Sequence, residues 1–469
     1  MSARRRASSL RRSLPLLTFA LVAVLLLALP AVALCASGDL VWTYSEGSPS
    51  HALEGLSVVA PGPNGSMYAG GGFGYDWHDG GDLALFRLRP TVAMTDPVIW
   101  LSTWDNPDFH SADYPIDLIA DPAGNAIAGG QTNTTTGGMD WIVGKWLSSG
   151  VPAWDVTFGG PQGLDDWIDD VARDAAGNVY ACGSIGVAAN DTDAALVKFR
   201  ASDGKPLWTY IYSGAAGSTG RQSFAGLALN AQRQVYVTGL TTDANGYQDV
   251  VVIKVKTDGS AQWKRRIDGA AHGHDYGEGI GFSGGAVYVA GESTASGGGT
   301  AVLAAKYSES GARKWLRTWR SAAGTIQQIS DVAVASDGAT RVAGAVLLGQ
   351  PDSKAFLVKW TAAGVRRWAK TYWKTSTAEP AAFNDIVVDG AGRIWAAGHI
   401  GVTDTSQDGL LARYRPDGVR VWSRRHDGYE HLNDWFNCVR LWGSTAVFVG
   451  GVEGTTAGSD DMLAARFVR

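Results

Sequence analysis

Residues 170–214 read DVARDAAGNVYACGSIGVAANDTDAALVKFRASDGKPLWTYIYSG. Four short apolar runs sit in this stretch. Val171–Arg173 leads into an Ala-Gly-Asn turn, and Val179–Cys182 follows. A polar loop then reaches Asp193 and the run Ala194–Arg200. Asp203-Gly204 turns the chain into a fourth run carrying Trp208. Alternating apolar residues with Gly, Asn and Asp between them are the mark of short antiparallel strands.

The unit recurs along the chain. Its Trp stands at positions 42, 100, 154, 208, 263, 315, 368 and 422, at intervals of 52 to 58 residues. Seven of these eight have Gly four residues earlier; Trp100 instead follows Thr95-Asp96-Pro97. Gly at that place is expected to take positive φ in a hairpin turn. A basic residue (Lys198 and its equivalents) comes about nine or ten positions before most of the Trp residues, and the next residue is aromatic in six of eight cases. The spacing predicts that this aromatic, Phe199 in the quoted unit, lies beside the Trp across the hairpin. A Gly-bearing turn such as Gly177-Asn178 joins the first two strands.

Four strands in about 54 residues, eight times over, predict an all-β fold: an eight-bladed β-propeller with four antiparallel strands per blade, A to D from the axis outward. The stretch Gly38–Trp42 reads as a strand D, and Asp461–Val468 as a strand C. The N-terminal strand is therefore expected to complete the last blade, which leaves no unpaired edge at the closure. Residues 37–469 form one propeller in this reading.

DAAGNVYACG, DAALVKF and SDGKPLW resemble the bacterial β-propeller repeat of exported proteins (the SBBP type) over residues 38–469. That resemblance implies the fold and no shared activity. The Gly-x-x-x-Trp element is similar, more distantly, to the tryptophan motif of eight-bladed quinoprotein dehydrogenases and of an envelope assembly lipoprotein. The adjacent-cysteine pair common in the quinoprotein alcohol dehydrogenases is absent from this chain.

Residues 1–36 stand apart. Arg4, Arg5, Arg6, Arg11 and Arg12 precede an apolar run from Leu14 to Leu34 that small residues close. This is the layout of an export signal, and the run is also long enough to be an N-terminal membrane anchor. A secreted or cell-envelope location is expected, with membrane contact only through this segment if it is retained. Without it the chain carries 35 Lys+Arg against 45 Asp+Glu. Such a balance disfavours nucleic acid and anionic lipid as partners. Cys182 and Cys438 fall at non-equivalent places and read as buried thiols, with no disulfide or zinc spacing.

In a propeller the D–A and B–C loops emerge on one face. Here they are long and variable, whereas the A–B and C–D turns are short. Variable loops on a rigid frame favour binding. All eight His fall in the long set, with exposed-type aromatics among them. The candidate ligand-binding residues are Trp77, His78, His110, Tyr114, Trp167, His272, His274, Tyr276, His399, His431 and Trp435. His399 is placed in a B–C loop. His272-Gly-His274-Asp275 has a weak metal-like spacing. Asp117, Asp170, Glu278, Asp331 and Asp385 begin successive strands A, with Gly226 breaking the series. At the channel mouth they would form a partial acidic ring suited to Ca²⁺, although recurrence from blade to blade favours a role in blade geometry. No cofactor is predicted. There is no nucleophile elbow, phosphate loop or HExxH motif.

The expectation is an exported, non-catalytic propeller whose aromatic- and His-rich face holds a glycan, peptide or protein. Two alternatives stand beside it: a propeller enzyme, glycan-cleaving or quinoprotein-like, and an envelope assembly scaffold.

Overall fold

The computed structural model describes residues 38–46, 53–75, 81–90, 98–106, 112–135, 138–215, 219–322, 325–349, 352–372, 380–401, 406–455 and 460–469. Residues 1–36 and the candidates Trp77, His78 and His110 lie outside them. The described residues form eight four-stranded antiparallel sheets. Seven are consecutive in the chain. The eighth takes Asp434–Trp442, Ala446–Gly454 and Asp460–Val468 as its strands A, B and C, and Leu40–Glu46 as its strand D. Trp42 pairs with Arg466 and Tyr44 with Ala464 in that seam. Blades are numbered 1 to 8 from the strand A at Leu53–Pro61.

The core is not central. It lies in eight apolar clusters, each filled from two neighbouring sheets, as with Tyr180, Leu196, Phe224 and Val251 between blades 3 and 4. The Gly-x-x-x-Trp element is the joint between blades. Gly150, Gly204, Gly259, Gly311, Gly364 and Gly418 all have positive φ. Each lies against the indole of the preceding blade's Trp. The same indoles donate Nε1–H to a carbonyl in that turn, as in Trp154 to Ala201 and Trp315 to Ala362, both at 3.1 Å. Gly38 does the same for Trp422, so the seam uses the joint found elsewhere in the ring.

The expected aromatic neighbour of the Trp is corrected. Lys198, not Phe199, stands opposite Trp208. Lys198 lies between Trp208 and Tyr180 of strand B, its Nζ 5.0 Å from the Tyr180 ring and 3.7 Å from the Asp174 carboxylate. Phe199 points to the other sheet face and meets Phe158. Asp121, Asp174 and Asp389 cap the A–B turn amides as their sequence position implies.

Every strand A carries a bulge, for example between Ile168 and Asp170 and between Gly277 and Gly279. Each bulge faces a Gly on strand B. A Cβ at Gly183, Gly239, Gly291 or Gly451 would come within 2.5 Å of a strand A carbonyl. An extra residue in the innermost strand thus needs a partner without a side chain.

Candidate binding face and axial channel

The bulge sends two successive residues of each strand A toward the axis. They line a channel cavity of about 350 Å³. Six carboxylates face it: Asp117, Asp169, Asp170, Glu278, Asp331 and Asp385, with Arg440 among them. Four of the five sequence candidates are equivalent. Asp117, Asp170, Asp331 and Asp385 each accept the amide of the next blade's strand A, from Val171, Leu227, Ile386 and Val439 respectively. These bonds, 2.7 to 3.1 Å long, tie neighbouring blades together around the axis. Glu278 does not belong to that series. It occupies the extra bulge position, as Asp169 does, and Asp169 was missed because the bulge is invisible to simple counting.

Burial, reinforced at some positions by neighbouring carboxylates, sets the protonation of this channel. Burial, then the charge of Asp117, holds the Asp170 carboxyl well above its ordinary range. Burial and Asp385 do the same to Asp331. Asp169 and Glu278 are pushed up to about 7, chiefly by burial. Arg440 pairs with Asp385, whose charge raises the guanidinium further.

Four aromatics share one register position on strand A, three residues before the position of Asp117 and Asp170. Tyr114, Trp167, Tyr276 and Trp435 occupy one equivalent position in blades 2, 3, 5 and 8. The carbonyl of each is the one that meets the strand B Gly. Trp167 is 40% exposed and borders a groove of about 420 Å³ with Asn190, Asp191 and Arg221. Tyr276 stacks on His274 with ring centroids 6.3 Å apart, and His274 takes the edge of Tyr247 at 5.3 Å. Tyr247, 43% exposed, was not singled out from sequence. Its signal is a Tyr directly after the Gly of a B–C loop.

His272 and His431 occupy the same place in two copies of one loop, Asp-Gly-x-x-His-x-x-Asp (268–275 and 427–434). Both are exposed, with φ of 51° and 57°. Nδ1 of each lies 2.9 Å from the first Asp, Asp268 or Asp427, which raises the imidazole pKa. The last Asp of the loop, Asp275 or Asp434, is buried and accepts amides from the loop Gly and from the end of strand B. His272, His274 and Asp275 therefore have separate partners and do not converge as ligands. Among the described residues the acids that converge are Asp249, Asp268 and Asp275, with oxygens within 4.8 Å of one another. That set suits a hard cation such as Ca²⁺ in charge, but Arg266 already engages Asp249. His399 is corrected too. It lies within strand B of blade 7 (Ile394–Gly401), opposite Ala382, and burial lowers its pKa. Cys182 and Cys438 are free and buried.

No family model matches the chain, and no curated protein matches it in sequence. Among solved structures, the chain is similar to Sqt1 from Chaetomium thermophilum bound to the N-terminus of the ribosomal protein L10. The TM-score is 0.56 at 11% identity, over 92% of this chain and 100% of that one. A second structure of Chaetomium thermophilum Sqt1 gives 0.56 at 10% identity, over 92% and 99%. At such identities the likeness is one of fold.

Proposed function

We propose that this chain is an exported, non-catalytic binding propeller that receives a peptide segment of a protein partner across its channel mouth. The observation that carries the reading is that Tyr114, Trp167, Tyr276 and Trp435 share one register position on the strands A that also bear the acids of the channel. Aromatic rims with a few polar groups near them suit side chains of an extended peptide. A cationic side chain gains most there, from ring faces and carboxylates together. The Chaetomium thermophilum Sqt1 structure, similar in fold, has the N-terminus of the ribosomal protein L10 bound. The arginines and apolar run of residues 1–36 support export.

The experiment is peptide display against the full-length protein, followed by titration of the selected peptides. Trp167→Ala and Trp435→Ala should each weaken binding by about tenfold or more, as loss of an aromatic anchor does. Mass spectrometry should recover the peptide intact after incubation. Binding by both variants at wild-type strength would remove this face from the reading, and a cleaved peptide would remove its non-catalytic part.

A further inference from the structure

The outermost strands differ in charge from one half of the wheel to the other. In blades 4 to 7 they read AQWKRRI (Ala261–Ile267), RKWLRTW (Arg313–Trp319), RRWAKTY (Arg366–Tyr372) and RVWSRRH (Arg420–His426). Each carries three Lys or Arg and no acid. In blades 8, 1, 2 and 3 they read LVWTYSE (Leu40–Glu46), VIWLSTW (Val98–Trp104), PAWDVTF (Pro152–Phe158) and PLWTYIY (Pro206–Tyr212), without a single Lys or Arg. A formal net charge of −5 conceals this belt.

The belt is open to solvent and only partly neutralised. Arg266 pairs with Asp249, Arg425 with Asp408 and Arg424 with Asp39. Lys264, Arg313, Lys314, Arg366, Arg367 and Lys370 are exposed and have no ion pair among the described residues. Acids in two adjoining turns carry their own cations: Lys256 lies 3.8 Å from Asp258, and Arg415 lies 2.9 Å from Asp417.

Its shape selects the partner. Successive blades of an eight-bladed wheel are rotated by about 45°, so these four strands sweep roughly 135° of the rim. A flat bilayer meets one or two blades, whereas a flexible polymer follows all four. Trp263 and Trp315 are buried, and Trp368 and Trp422 are half-buried. The belt therefore has no exposed ring on which a nucleobase could stack. It reads negative charge alone.

We propose that the rim of blades 4 to 7 docks an anionic polysaccharide, one carrying carboxylates along a flexible chain. The choice of polysaccharide rests on the extracytoplasmic setting of the proposed function. The surface itself is separate from the four strand A aromatics.

Full-length protein in non-ionic detergent is titrated with alginate, with dextran, with a short DNA duplex, and with phosphatidylglycerol or phosphatidylcholine vesicles. Alginate should bind and dextran should not, and the affinity for alginate should fall steeply with salt as counterions are released. The triple variant R366E/R367E/K370E should weaken alginate binding by about tenfold or more, as reversal of charges at a steered contact does. Lys264→Glu with Lys314→Glu, on neighbouring blades, should do the same and covers a failure of the triple variant to fold. Trp167→Ala should leave alginate binding unchanged, and the rim variants should leave peptide binding unchanged, so that the two surfaces fail separately. Absence of alginate binding would overturn the proposal, and so would wild-type binding by the folded rim variants. Tighter binding of the duplex or of the phosphatidylglycerol vesicles would replace it with nucleic acid or membrane.

Discussion

Gly204 lies against the indole of Trp154 one blade back, and a Cβ at Gly204 would fall 2.5 Å from that ring. Its φ is 69°. Two penalties therefore meet at one residue. Gly204→Ala should lower unfolding free energy by about 2–4 kcal/mol, from the left-handed backbone plus overpacking. Gly246→Ala separates the two. Gly246 has φ 85° but nothing within 4 Å, so about 1 kcal/mol is expected from conformation alone. Chemical denaturation of both variants checks the difference.

The strand B glycines should be less forgiving still. A Cβ at Gly183 would come within 2.5 Å of the Trp167 carbonyl. The bulge cannot relax without moving Asp170 away from the Leu227 amide. Gly183→Ala is expected to cost at least about 3 kcal/mol or to prevent folding, by overpacking against backbone. Soluble yield and the denaturation midpoint report it. A wild-type midpoint would show that the bulge is not fixed by this glycine.

The seam can be opened locally. Arg424 donates to the Gly38 carbonyl at 2.9 Å and covers Trp422. Arg424→Ala should cost about 1 kcal/mol, the scale of one hydrogen bond at a partly exposed site. Amide exchange should rise in Leu40–Glu46 first, because that strand is joined to its blade only through the strand ending at Val468.

Stability should fall as pH rises through the neutral range. Burial lifts Asp113 to about 7 and Asp434 to about 6. A carboxyl raised in the folded state favours folding fully below its unfolded value, about 3.9. That contribution is lost as pH climbs through the folded value. Asp121, Asp174 and Asp389 act in the opposite sense. Their pKa values are lowered despite burial, by hydrogen bonds and cations in the A–B turns. Their contribution is present above about 3.9 and is lost on further acidification. Unfolding free energy should peak near pH 4–5, by the same linkage, and Asp113→Asn should flatten the decline toward pH 7. Denaturant titrations across this range would show a rise toward neutrality if the sign were wrong.

The repeat was legible because its markers do one job eight times. Trp and the A–B turn each occupy a fixed place in every blade, and the Gly four residues before the Trp does so in all but one, so their spacing carried strand order and closure. Sidedness was harder. Phe199 and Lys198 differ by one residue, which in a strand means opposite faces, and only the pairing of Lys198 with Trp208 shows which one meets the indole. The channel acids were legible as a group but not as two tiers. Counting from the turns merges Glu278 with Asp170, since a bulge adds a residue without changing composition. The strand B Gly opposite each bulge was the available signal. His399 was misplaced because polarity suggested a loop, while the chain carries it inside a strand. The rim charges were readable in principle, but net charge averages over the halves that folding sets apart.

Among the described strands, Leu40–Glu46 pairs in its sheet with Asp460–Val468 alone. During synthesis the earliest strand of the wheel must wait, unpaired, while seven blades form ahead of it. Contacts so distant in sequence slow the final step of assembly, and an idle sheet edge invites mispairing with other chains. The wheel is accordingly most vulnerable just before Asp460–Val468 emerges, when nearly all of its core is already built.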